Sequence, residues 1–308
     1  MGDLMVKVRV PATSANMGAG FDCFGLALGL YNILSVEESD KFSITIKDES
    51  LGIPTTKDNK IYQAIQHFYK EIGKPIPYLK IHQEDNIPLA RGLGSSAACI
   101  VAGLAAANKL SREGLTDEQL VYMAHKIEGH PDNIAPAYYG GMVVSVADGS
   151  KIHHVKIGHE TLSELSFVTF IPKFTLSTTE ARGVLPQTYS REDAVFNISR
   201  ASLLIASIMS KKWDNLPIAI DDRLHQPYRN RLITNVDSIY AMAKSFGAKG
   251  VYLSGAGPTV VAIFTNPIGQ NLLTDVKLQL ATLPNTSGCD WAAHLLQPDF
   301  KGVQVESL

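Results

Sequence analysis

Pro88-Leu89-Ala90-Arg91-Gly92-Leu93-Gly94-Ser95-Ser96-Ala97-Ala98 is a glycine-rich loop that empties directly into an alanine-rich segment reaching Leu110. Alanine is the strongest helix former, so the second part of this stretch is predicted to be a helix. Gly92 and Gly94 let the main chain turn tightly and approach a ligand closely, and Ser95 or Ser96 is expected to cap the helix. The amides of such a first turn face outward with the helix dipole behind them, which suits a phosphate. The serine hydroxyls add hard oxygen donors for a metal ion that travels with the phosphate.

Other readings compete for these residues. Gly92-Leu93-Gly94-Ser95-Ser96-Ala97 matches the dinucleotide fingerprint in form, but a buried strand should precede it immediately. Gln83-Glu84-Asp85-Asn86 and Pro88 intervene instead, and a helix start at Thr116 stands where a ribose-binding acid is required. No Gly-Lys-Ser/Thr follows the glycines, which removes a Walker loop. Gly94-Ser95-Ser96-Ala97-Ala98 comes close to a hydrolase nucleophile elbow, for which Asp221 and His225 would have to serve as partners.

The 308 residues, 45% hydrophobic and 19% charged, suffice for two cores and predict two domains. A net charge of −2 without a basic run argues against nucleic acid or an anionic membrane as the main partner. Cys23, Cys99 and Cys289 are odd in number, far apart and without a C-x-x-C, so neither a disulfide framework nor a zinc site is expected. Together with a start lacking a signal pattern and no span-length apolar run, this points to the cytoplasm.

Strands are predicted at Met5–Val10, Leu34–Val36, Phe42–Ile46, Tyr78–His82 and 140–146, with helices at 61–72, 96–110 and from Thr116 to Glu128. Thr116-x-x-Gln119 reads as a capping box and Gly129 as the stop. A first domain is expected to end near residue 160. Beyond it come a strand at Phe167–Ile171, helices at about 192–213 and 234–246, and strands 251–254 and 259–264 joined as a hairpin by Gly255-Ala256-Gly257-Pro258.

Four clusters stand out in order: residues 11–22 (PATSANMGAGFD), the loop at 88–98, Glu128-Gly129-His130-Pro131-Asp132-Asn133, and Ser254 to Pro258. Together they resemble the GHMP small-molecule kinases over nearly the whole chain, and the first two clusters resemble the branch that acts on homoserine. Met17 and Ala19 depart from the Leu and Pro often found there. The resemblance implies an α+β two-domain fold, with residues 1–160 as an N-terminal ATP-binding domain like ribosomal protein S5 domain 2 and residues 161–308 as a ferredoxin-like C-terminal domain. It also implies ATP-dependent phosphorylation of the side-chain hydroxyl of L-homoserine, with Mg²⁺, and a homodimer is possible.

By the family's pattern, Ser96 and Glu128 hold the metal and the loop holds the triphosphate, with Asn59 at the edge of the adenine pocket. An acid at a helix C-terminus opposes the dipole, which itself favours a functional Glu128. For the zwitterionic substrate, Asp22 would take the ammonium, Asn16 the hydroxyl, and Arg182 and Arg229 the carboxylate, a task suited to guanidinium groups. His130, Asn133, Thr178, Gly255 and Gly257 complete the implied substrate site. Asp132 is the implied acceptor of the hydroxyl proton. A loose transition state asks little of a base, so direct transfer to phosphate stays open. Mevalonate, an isoprenoid precursor or a sugar is the rival substrate, and a non-catalytic sensor the rival class.

Overall fold

The computed structural model describes residues 5–265, 268–283 and 290–308. Cys289 and the first four residues, on which part of the cysteine and N-terminal readings rest, lie outside them.

The chain opens with β1 (Val6–Ala15) and β2 (Phe24–Glu38), an antiparallel pair whose register shifts at Pro11/Ala12. Proline has no amide to give the ladder, so a bulge there is expected. The strand β3 (Ser43–Ile46), helix α1 (Lys60–Glu71), β4 (Leu79–Glu84), and helices α2 (Ser95–Ser111), α3 (Asp117–Glu128) and α4 (Pro131–Tyr139) follow, then the hairpin β5 (Met142–Asp148) and β6 (Lys151–Ile157). β2 is much longer than the predicted Leu34–Val36. Its first part pairs with β5 and its second with β4, while β1 runs beside both. Among the described residues only β3 and β4 run parallel in this sheet, unlike the open parallel sheet of a dinucleotide-binding fold.

α2 is buried on nearly every side, so it lacks a polar face and forms the centre of the first layer. Gly103 brings it against α1, since a Cβ there would lie 2.7 Å from the Ile61 carbonyl oxygen. α3 carries the capping box foreseen at Thr116 and Gln119 and ends on Gly129 in the left-handed conformation. Gly25 does the same service for α4: an added Cβ would meet the Asp132 carbonyl oxygen at 1.8 Å. The first turn of α4 is thereby seated directly on β2.

The one-turn helix α5 (His159–Leu162) leads to β7 (Leu165–Pro172), α6 (Thr178–Gly183), α7 (Arg191–Met209), α8 (Leu216–Ala219), α9 (Gln226–Arg229), α10 (Val236–Ser245), the β8 (Gly250–Leu253) and β9 (Val260–Thr265) hairpin, α11 (Gln270–Leu280), β10 (Trp291–Leu296) and β11 (Gln304–Ser307). The second sheet has the order β10-β7-β9-β8, all antiparallel, which is the ferredoxin-like arrangement of a βαββαβ chain. Alternation along β7 sends Leu165 and Phe167 into the core shared with the first sheet and Val168 and Phe170 into a second core under α10 and α11. The expected division at residue 160 needs one correction. β11 returns to the first sheet and pairs with β1, from Val6 opposite Ser307 to Arg9 opposite Gln304, so the span 161–308 is not one structural unit. Among the described residues no helix is long and apolar enough to cross a membrane.

Candidate active site

A cavity of about 610 Å³ is lined from both halves of the chain and contains the loop from Pro88 to Ser96. Gly92 and Gly94 have φ of +76° and +70°, and neither tolerates a side chain. A Cβ on Gly92 would meet the Ser254 carbonyl oxygen at 2.3 Å, and one on Gly94 the Thr13 hydroxyl at 1.9 Å. The expected serine cap is absent: Gly94 itself is the N-cap, in the left-handed region, with no side chain bonded to the first turn of α2. Ser95 and Ser96 are the first helical residues, so their hydroxyls are released for other work. Ala97 and Ala98 are fully buried and do not line the cavity.

The loop has a one-sided polarity. From Leu89 through Gly94 every carbonyl accepts a hydrogen bond from the protein: from Arg91 Nη1, Leu176 N, Thr259 N, Ser254 Oγ, Thr13 N and Ala98 N in turn. Among the described residues, the amides from Arg91 to Ala97 find no acceptor. The electronegative edge therefore faces the protein and the donor edge is left for an anion, as helix N-termini and main-chain nests provide. Arg91 lines the cavity, but its side chain is committed to the protein. Its guanidinium donates to the carbonyls of Pro172, Leu89 and Lys173 and pins the loop to the end of β7. The Gly255–Gly257 turn packs on the other side, where Ser254 Oγ donates to Gly92 O. Ser254 is joined in turn to Ser14, and Ser14 to the buried Tyr252 hydroxyl.

Ser96 Oγ donates to Glu128 Oε2 at 2.8 Å and accepts from Lys60 Nζ at 3.0 Å. Burial holds the Glu128 carboxyl above the usual range, against the pull of Ser96 and Lys60. One carboxylate and one hydroxyl beside a row of donors fit a hard cation that takes its remaining ligands from phosphate and water. Among the described residues no group of three or more His, Cys, Asp or Glu could hold an ion unaided. Asn59 lines the cavity, but its amide is committed elsewhere. It caps α1 through Ile61 N and donates to Pro54 O and Gln83 Oε1.

Asp132 is 3% exposed, in the first turn of α4. Burial, then the negative charge of Asp22, push its carboxyl up to about 7. Asn133 Nδ2 donates to it at 3.3 Å while Asn133 Oδ1 accepts from Thr13, which ties this turn to the phosphate loop. The four residues foreseen around a zwitterion converge here, but they are partnered. Arg182 Nη2 donates to Asp22 Oδ1 at 2.9 Å. Asn16, at φ +68°, accepts from Asp22 N and donates to Gly255 O, so its amide first of all shapes the turn. His130 Nε2 lies 4.0 Å from Asp22 Oδ2, and burial lowers its pKa. Arg229 is fully buried and donates to Ala181 O and Gly255 O. Desolvation, then Arg182, bring it down to about 10. Thr178 and Gly257 line the same wall.

Behind Arg229 stands a network that the sequence reading did not assign. His225 Nδ1 faces Arg229 Nη1 at 3.3 Å, and a guanidinium can only donate, so this nitrogen accepts. His225 Nε2 therefore carries the proton and donates to Gly18 O at 2.9 Å. The ring is neutral and stacks on Phe21, and burial lowers its pKa, in keeping with that form. Asp222 accepts from the amides of Leu224, His225 and Gln226 and from Asn197 Nδ2, fixing the entry to α9. The elbow reading fails on this geometry: His225 is enclosed, and Asp222 rather than Asp221 is its acid neighbour. Lys60 was also missed, although a lysine opening a helix opposes the dipole and signals another duty.

Comparison with known proteins shows the family to which the chain belongs. The family described as GHMP kinases N terminal domain matches residues 59–141, and GHMP kinases C terminal matches 200–276. The chain is 43% identical to a homoserine kinase of Caldicellulosiruptor saccharolyticus over 99% of its own length and 97% of that protein's. It is 41% identical to one of Synechocystis over 98% of each. The crystal structure of homoserine kinase from Cytophaga hutchinsonii superposes with a TM-score of 0.85 at 26% identity, covering 98% of this chain and 97% of that one. The chain belongs to the GHMP kinase family, in the same branch as these homoserine kinases.

Proposed function

We propose that the chain transfers the terminal phosphoryl group of ATP to the side-chain hydroxyl of L-homoserine. The observation that carries this reading is a single cavity joining the donor edge of residues 91–96 to Asp132 and to the Asp22–Arg182 pair. A free amino acid is a zwitterion, and it can insert into such a pair charge for charge: its carboxylate on Arg182 with Arg229 behind it, its ammonium on Asp22. Mevalonate has no ammonium to take the place of Arg182 as the partner of Asp22.

In this reading the amides at the start of α2 and the Lys60 ammonium hold the triphosphate, and Ser96 and Glu128 hold Mg²⁺. Magnesium, when bound, supplies neutralisation of charge on the transferring phosphoryl group. Asp132, with its pKa near 7, is partly ionised at neutral pH and accepts the hydroxyl proton as the phosphorus–oxygen bond forms. Pro88 to Ser96 form the nucleotide side, and Asn16, His130, Asn133, Thr178, Gly255 and Gly257 enclose the amino acid. Residues 1–160 carry the nucleotide site and 161–308, apart from β11, close the substrate side. We assign the work to the cytoplasm and to a homodimer.

The test is a parallel assay with ATP and Mg²⁺ on homoserine, mevalonate, galactose and threonine. Turnover of homoserine is expected, and turnover of mevalonate alone would overturn the reading. Arg182→Ala and Arg229→Ala are each expected to raise the homoserine KM by roughly ten- to a hundredfold, the loss of one charge-assisted contact, with nucleotide affinity unchanged.

A further inference from the structure

Lysine and arginine side chains reach the cavity from Lys60, Arg91, Arg182 and Arg229. Arg91 and Arg229 donate to main-chain carbonyls, and Arg182 is paired with Asp22. Lys60 instead rests on a neutral group: its ammonium donates to Ser96 Oγ at 3.0 Å. A hydroxyl has one hydrogen, and Ser96 gives it to Glu128 Oε2 at 2.8 Å, so toward Lys60 it can only accept. The three groups form a line with one direction, from ammonium to hydroxyl to carboxylate. Ser96 and Glu128 are the oxygen donors assigned above to Mg²⁺. The ammonium therefore takes a lone pair that a metal ion would also use, and two cations cannot share one hydroxyl oxygen without strong mutual repulsion.

The anchorage of Lys60 leaves its charged end free to move. It is the first residue of α1 and is exposed, while the preceding Asn59 is fully buried and caps the helix through Ile61 N. The backbone pivot is thus fixed, and a long flexible stem carries the charge. A triphosphate in the loop beside it offers anionic oxygens, which bind an ammonium more strongly than a neutral hydroxyl does. We propose that Lys60 is a place-holder. In the free chain it covers Ser96 Oγ and keeps a bare divalent cation off Ser96 and Glu128, and it turns to the triphosphate when nucleotide arrives. Exchange of one cation for another makes metal binding conditional on nucleotide, so the chain takes up Mg²⁺ with the nucleotide rather than before it. The proposal rests on the assignment of Ser96 and Glu128 to the metal made above, and adds to it a charge that must leave first.

Metal binding measured apart from turnover tests it, with Mn²⁺ as the probe followed by electron paramagnetic resonance. Without nucleotide, Lys60→Met is expected to bind Mn²⁺ roughly three- to tenfold more tightly than the wild-type chain, as removal of a neighbouring like charge implies. Its affinity for the Mn²⁺ complex of ATP should fall about tenfold, the loss of one charge-assisted contact. Lys60→Arg keeps the charge and should leave free Mn²⁺ binding as weak as in the wild type. The opposite signs separate a place-holder from a residue that only supports the fold, whose loss weakens both. Free Mn²⁺ binding that is unchanged or weaker in a Lys60→Met chain folded by circular dichroism would overturn the proposal. So would a nucleotide affinity that does not fall, since the ammonium would then have no second acceptor. A gain that survives Ser96→Ala and Glu128→Gln together would put the ion elsewhere and overturn the metal assignment itself. The kinase reading stands or falls separately, on the parallel assay of the four substrates.

Discussion

Asp132 concentrates the site's chemistry in one carboxyl whose surroundings oppose its ionisation. Its pKa, raised to about 7, has consequences of opposite sign for activity and stability. If Asp132 accepts the hydroxyl proton, kcat rises with pH through about 7 and then levels. The unfolded chain releases that proton near its ordinary value of 3.8, so between there and about 7 the folded state holds more protons and stability falls as pH rises. Asp132→Asn removes the titration and the cost of burying the charge. We expect kcat to drop by about 10²- to 10⁴-fold with nucleotide affinity kept, and the melting temperature at pH 8 to rise relative to the parent. Calorimetry at pH 5 and pH 8 checks the second part. A variant that keeps most of its turnover would instead assign proton acceptance to the phosphate.

At the scale of the element, the short helix α9 and the segment before it show why some of the site was legible in the sequence and some was not. The phosphate loop, the Thr116 capping box and the β8–β9 hairpin are local devices, so neighbouring residues suffice to read them. α4 opens on Pro131 and contains Pro136, and its short run shows no apolar period, so only its first residues stood out, as a motif. Asp222 and His225 gain their meaning from Gly18, Asn197 and Arg229, which only the fold brings beside them. Likewise Lys60 meets Ser96 across 36 positions. Asp222→Ala would orphan the buried amides of His225 and Gln226 and remove the acceptor of Leu224 N and Asn197 Nδ2. A loss of about 3–5 kcal/mol is expected from breaking a buried charged network, read by urea titration. His225→Leu, by removing the acceptor that holds Arg229, should raise the homoserine KM more than it lowers kcat.

Across the whole molecule the two sheets meet at the phosphate loop, which belongs to the first by sequence and is held by both. Arg91 reaches the end of β7, Thr259 at the head of β9 donates to the Arg91 carbonyl, and Leu93 accepts from Thr13 at the end of β1. Arg91→Ala should therefore weaken nucleotide binding about tenfold, as loss of more than one hydrogen bond implies, although its side chain donates inward; equilibrium titration with a fluorescent nucleotide measures this. β10 and β11 were illegible in the sequence for the same large-scale reason: their partners, β7 and β1, lie more than a hundred positions away. The run of inward-turned carbonyls carries one more implication. From Leu89 to Gly94 the commitments are made by the main chain, so the spelling of several positions is free while their number is not. Adding a single glycine after Leu89 would put every later peptide group out of step with its fixed partner, presenting oxygen where a nucleotide needs hydrogen, and the cradle would repel the tail it was shaped to receive.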